Sequence, residues 1–191
     1  MNKRQLQKQK TRELIIEVSK ESFIKNGFLN TTTSQIAKAA GIAHGTLFLH
    51  FPSKDLLIEE ILDNELGEIS QEIYNLVLSQ NSIETLLNKY LDLISQQEDF
   101  FSTIYRELPF YNDKLRRKIL FKESIIRSHF FQVIEKSRSD YLQKNEISTA
   151  ITMLFATVRY YLIMKDSLIS SKNVIDEFKE HILSIFLKII K

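Results

Sequence analysis

Residues 33–51 read Thr33-Ser-Gln-Ile-Ala-Lys-Ala-Ala-Gly-Ile-Ala-His-Gly-Thr-Leu-Phe-Leu-His-Phe51. Two short helices crossing at a steep angle need a small residue where they meet, and Ala37 supplies it. Four residues later Gly41 can take the left-handed conformation that turns the chain, because it has no Cβ to clash. Ile36, Ile42 and Leu47 close the corner. The spacing predicts a helix-turn-helix, with helices over residues 35–40 and 44–50. In that motif the second helix enters the major groove of DNA while the first crosses the backbone. Each residue alone is common, and their joint spacing is what carries the reading.

Working outward, Ile15, Ile16, Val18, Phe23 and Ile24 keep helical spacing over residues 9–26, and Asn26-Gly27 is a stop. Thr31, Thr32, Thr33 and Ser34 offer side-chain oxygens to cap the next helix. Pro52-Ser53 then punctuates the chain, with Ser53 as cap and Asp55 in the first turn of a long fourth helix. Leu56, Leu57, Ile61, Ile69, Ile73 and Leu76 carry that helix to about residue 80, a length of roughly 40 Å. Further helices are expected over residues 83–97, 100–108 with Pro109 as terminator, 112–138 capped by Asn112, 147–168 and 174–190. Four glycines and two prolines are too few for the tight turns of an all-β fold. The expectation is an all-α protein of about nine helices. Residues 1–53 form a three-helix DNA-binding domain and residues 54–191 a helical domain for ligand binding and dimerisation.

The chain has no cysteine, which excludes disulfides, thiolate metal sites and cysteine nucleophiles and is compatible with a reducing compartment. Met1-Asn2-Lys3-Arg4 leads into a polar, charged stretch and not the apolar run of a secretory signal, so a cytoplasmic protein is expected. The net charge of +2 hides an asymmetry, since residues 1–54 carry nine Lys/Arg against three Glu while the remainder is net acidic. A basic first domain suggests a polyanion partner for that domain alone, with a solvated face as the plainer alternative. Lys3, Arg4, Lys8, Lys10 and Arg12 read either as a flexible arm reaching phosphate or the minor groove, or as a disordered tail.

The segment Phe23-Ile-Lys-Asn-Gly-Phe-Leu-Asn-Thr-Thr-Thr33, followed by Ile36-Ala37, Ala40-Gly41-Ile42, Gly45-Thr-Leu-Phe48, His50-Phe51 and Ser53-Lys54-Asp-Leu-Leu57, closely resembles the TetR/AcrR family of repressors. Beyond about residue 62 the chain resembles that family in helix count, length and order. The resemblance implies that Thr33 contacts phosphate, although a hydroxyl there also serves as a helix cap, and that Ser34 lies beside it. It implies base-edge and backbone contacts from His44, Gly45 and Thr46, where Gly45 lets the duplex approach closely, with Leu49 on the same face. His50 and Lys54 match phosphate-contacting positions, Lys54 aided by the N-terminal amides of the next helix, and each is otherwise a solvated surface residue. Two departures stand out. Phe48 replaces the family's usual tyrosine, so contact with sugar or a thymine methyl replaces a hydroxyl bond to phosphate. Ala43 stands where a serine often caps the recognition helix, a loss of about 1 kcal/mol of local stability.

In the last helix seven of the nine residues 182–190 are apolar, so it must be covered on both sides. Its apolar run falls short of the roughly 20 residues that cross a bilayer, and no membrane partner is expected. Pairing this helix and that over residues 147–168 with their symmetry mates gives a four-helix interface through Ile151, Leu154, Val158, Ile182, Phe186 and Ile189, as the resemblance also implies. Such a homodimer sets two recognition helices about 34–36 Å apart on a palindromic operator. Fourteen of the 20 aromatic residues follow position 99. Most are ordinary core, but an apolar pocket for a small-molecule effector is expected among Phe101, Phe130 and Phe155, with Tyr105, His129, Arg159 and Tyr160 as polar contacts.

A carboxylate-bridged di-iron enzyme would need paired Glu-x-x-His motifs, and none of His44, His50, His129 and His181 has a Glu three residues before it. No nucleophile elbow, Gly-rich phosphate loop or metal spacing occurs either, so neither catalysis nor a cofactor is expected. A helix-turn-helix adaptor that binds protein and not DNA is the remaining rival, and the basic first domain argues against it.

Overall fold

A computed structural model describes residues 2–138, 142–168 and 173–191. The described residues form nine α-helices and no strand: α1 (Lys3–Asn26), α2 (Thr33–Ala39), α3 (His44–His50), α4 (Lys54–Leu78), α5 (Ile83–Gln96), α6 (Glu98–Glu107), α7 (Asp113–Arg138), α8 (Lys144–Leu168) and α9 (Val174–Ile189). A 3-10 turn, Leu108–Phe110, holds Pro109 between α6 and α7.

α1 begins six residues earlier than its apolar spacing suggested. The Asn2 side chain accepts the Gln5 amide while the Gln5 side chain accepts the Asn2 amide, and this reciprocal box starts the helix at Lys3. The basic segment expected as a flexible arm or a disordered tail is therefore helical. The same box, made by Thr32 and Gln35, starts α2, so the cap is Thr32 and Thr33 already lies in the first turn. Gly41 has φ +64°, the left-handed turn that its position required. Ser53 caps α4 through the Leu56 amide, whereas Ala43 leaves α3 without a side-chain cap.

Ile15, Phe23, Phe28, Ile36, Ala37, Leu47 and Phe51 are buried in the N-terminal core, where the Phe23 and Phe28 rings stack at 4.5 Å. α4 packs against both α1 and α7, α8 lies against α6, α7 and α9, and α5 packs against α9. By length and composition α8 is long and apolar enough to cross a membrane, with a mean hydropathy of 1.4 over its most apolar window. Here Ile147, Ile151, Leu154, Val158 and Leu162 form one buried stripe along it at helical spacing.

Candidate nucleic-acid interface

The turn at Gly41 brings the start of α2 against the start of α3. Thr33 Oγ1 lies 2.9 Å from His44 Nε2 and Ser34 Oγ 3.4 Å from the same nitrogen. The hydroxyls expected at phosphate and the first residue of the recognition helix thus form one hydrogen-bonded group. The His44 ring meets Phe48 edge-on at 4.8 Å. Leu47 points inward and is fully buried, while Leu49 is 80% exposed and Phe48 40%. A Cβ added at Gly45 would meet nothing within 4 Å, so that face of α3 is open to a partner.

His50 closes α3. Its carbonyl accepts a bond from Arg12 Nη1 at 2.9 Å, and Arg12 also pairs with Glu60 at 2.7 Å and lies 4.2 Å over the Phe51 ring. Burial, with the charges of Lys8 and Arg12, holds the His50 imidazole below its ordinary pKa. The basic side of α1 therefore runs past the end of α3. Arg12 escaped the sequence reading as an organiser of this corner because nothing in its spacing distinguishes it from the other bases of residues 3–12.

Lys54 has a different position from the one expected. Its ammonium donates to the carbonyls of Phe28 at 2.7 Å, Thr31 at 3.0 Å and Leu29 at 3.4 Å, within the loop between α1 and α2. A lysine taken up by three carbonyls of its own chain has few donors left for phosphate.

Among α6, α7 and α8, Phe101, Tyr105, Phe130, Phe155 and Arg159 are brought together. Tyr105 donates its hydroxyl to Glu123 Oε1 at 2.6 Å, Arg159 Nη2 donates to Glu123 Oε2 at 2.6 Å, and the guanidinium lies 4.9 Å over the Tyr105 ring. Tyr90 joins Phe130 and Phe155 at ring distances of 5.5 and 5.0 Å. Burial first, then the Glu123 charge, pushes both the Tyr90 and Tyr105 hydroxyls far above their ordinary pKa. Glu123 and Tyr90 were missed in the sequence. The available signal for Glu123 was its register, because Ile119, Glu123, Ile126 and Phe130 share the buried stripe of α7.

Two residues expected at the effector site lie elsewhere. Tyr160 is 55% exposed and packs on Tyr161, because one residue along a helix turns the side chain about 100° away from Arg159. His129 is buried beside Tyr74, 5.4 Å between rings, along a groove of about 320 Å³ lined by Gly67, Ser70 and Lys122. The interface reading needs a similar correction. Ile151, Leu154, Val158, Ile182 and Phe186 are already buried within the single chain, and Ile189 is the only one of the six that is exposed. Met153, Tyr160, Ile185 and Ile189 form the outward apolar face of α8 and α9. Both helices are apolar on two sides, and sequence alone did not say which side each residue took. Among the described residues no group of three His, Asp or Glu is placed to hold a metal ion.

Residues 15–61 match the family described as bacterial regulatory proteins, tetR family. The fatty acid metabolism regulator protein of Bacillus subtilis strain 168 is 23% identical over 154 residues, spanning 75% of this chain and 77% of that protein. Among solved structures, the fatty acid degradation regulator FadR from Bacillus halodurans superposes with a TM-score of 0.76 at 20% identity, over 93% of this chain and 94% of the other. FadR from Bacillus subtilis in complex with stearoyl-CoA gives a TM-score of 0.76 at 19% identity, over 94% of this chain and 99% of the other.

Proposed function

We propose that this TetR/AcrR-family transcriptional regulator is a cytoplasmic repressor that binds a palindromic operator as a homodimer and is released by a largely apolar small molecule. Residues 1–53 act as the DNA-binding domain and residues 54–191 as the effector and dimerisation domain. The observation that carries the reading is the outward face of α3. Gly45 stands in open space and Leu49 and Phe48 project from the helix, on the basic domain of an otherwise acidic chain. Exposed apolar side chains beside a small residue fit a groove edge that offers thymine methyls and sugar. Thr33, Ser34, His44, Thr46 and His50 surround this face, and Lys54 contributes by holding the loop that precedes α2.

The dimer forms through the outward face of α8 and α9, where Met153, Tyr160, Ile185 and Ile189 are exposed. An apolar patch of this kind on a soluble helical domain marks a protein contact. The effector is a long-chain acyl thioester, a reading supported by the likeness to the stearoyl-CoA complex over nearly the whole chain. Selection of genomic fragments with purified protein tests the operator claim and should return a palindrome. Adding stearoyl-CoA to the protein–operator complex should release the DNA, whereas a complex indifferent to it would overturn the effector assignment.

A further inference from the structure

Glu107 ends α6, in the second domain, yet its carboxylate grips the first. Oε2 accepts the backbone N–H of Phe28 at 2.9 Å, that of Leu29 at 3.2 Å and the hydroxyl of Tyr111 at 3.3 Å. The other oxygen sits against Gly27, where a Cβ would come within 2.2 Å of it. Gly27 also has φ +83°, so the position both needs and uses the absence of a side chain. Phe28, fully buried, extends the grip by packing on Phe100 of α6 at 5.8 Å and on Tyr111 at 6.0 Å. From the opposite side Lys54 takes the carbonyls of Phe28, Leu29 and Thr31. The short segment that hands α1 to α2 is thus held through its amides by the last residue of α6 and through its carbonyls by the first residue of α4.

We infer that Glu107 is a positioning residue for DNA binding, whose carboxylate fixes the helix-turn-helix relative to α6. Two amides on one carboxylate are charge-assisted bonds with a narrow geometric range, and they weaken steeply once the acceptor moves by about an ångström. A displacement of α6 is therefore transmitted to α2, and through the Thr33–His44 contact to α3, without passing along the length of α4. The inference rests on the operator reading above.

The test compares the full chain with Glu107→Ala, Glu107→Gln and Gly27→Ala, by amide hydrogen exchange and by titration with the duplex that wild-type protein selects. In Glu107→Ala the Phe28 and Leu29 amides should exchange at least tenfold faster while α2 and α3 keep their protection. Operator affinity should fall about tenfold with an unchanged salt slope, because the phosphate contacts are intact but mispositioned. Gly27→Ala should behave the same way. Glu107→Gln, which keeps one acceptor oxygen, should recover most of the affinity. Wild-type exchange at the two amides, wild-type affinity despite faster exchange, or a reduced salt slope would each overturn the inference. Failure of the wild type to select any duplex would instead overturn the operator reading, and the exchange measurement would still decide whether Glu107 holds the loop.

Discussion

His50 and Lys54 occupy neighbouring positions with different chemistry. In the free protein the His50 imidazole is held below its ordinary pKa by burial and by the nearby Lys8 and Arg12. A phosphate beside the ring would favour the charged form, so DNA binding should take up a proton and tighten as pH falls from neutrality toward that lowered pKa. Affinity measured across that window should show this slope, and His50→Gln should flatten it; an unchanged slope would remove His50 from the interface. Lys54→Ala should lower thermal stability through the loop it holds and leave the salt slope of DNA binding unaltered, while a slope smaller by about one would mean that its ammonium reaches phosphate after all. His129 carries a linkage of its own. Burial lowers its folded pKa, so the unfolded chain binds the proton more readily and stability is lost as pH falls through about 6.5. His129→Leu should reduce that acid sensitivity in denaturant titrations at pH 7 and pH 5.5. Residue-scale facts of this kind were the least legible in the sequence, because whether a lysine meets phosphate or three carbonyls depends on a loop 23 to 26 residues upstream.

At the scale of elements, α3 is the helix of the helix-turn-helix whose N-terminus no side chain caps. α3 has seven residues and no side-chain cap, in contrast to the boxes at α1 and α2 and the serine cap of α4. Ala43→Ser should stabilise the protein by about 1 kcal/mol in chemical denaturation, and no change would mean that water or the duplex already satisfies those amides. Leu47→Ala, which empties a fully buried site between α2 and α3, should cost about 2–5 kcal/mol. Helix order and most boundaries were readable because Gly41, Ser53 and Pro109 are strong local punctuation. The start of α1 was not, since Asn2 and Gln5 act through a reciprocal pair of bonds that apolar periodicity does not record. The register of α8 and α9 was hidden for a different reason. A helix apolar on two faces gives periodicity no way to choose which one turns inward.

On the scale of the whole molecule, helices α5 to α9 combine an aromatic interior with an outward apolar face on α8 and α9. The interior is organised by Glu123, which joins α6 to α8 through Tyr105 and Arg159, while Met153 and Ile185 look outward from α8 and α9. Ile185→Glu should therefore yield a folded monomer by sedimentation, with DNA affinity reduced by loss of the second half-site; an intact dimer would put the interface elsewhere. Fold and family were legible because the helix-turn-helix corner is a local pattern. The buried polar cluster was only half legible, since its members come from three helices and Glu123 sits in an apolar stripe. The central claim is that the open face of α3 reads operator DNA. Its most direct test is selection of genomic duplexes by the purified chain alongside Gly45→Glu, whose Cβ enters open space and which sets a charge on that face. Wild-type protein should return a palindrome and the variant should bind no duplex above background while remaining folded; equal binding by both, or no sequence preference in the wild type, would contradict the account.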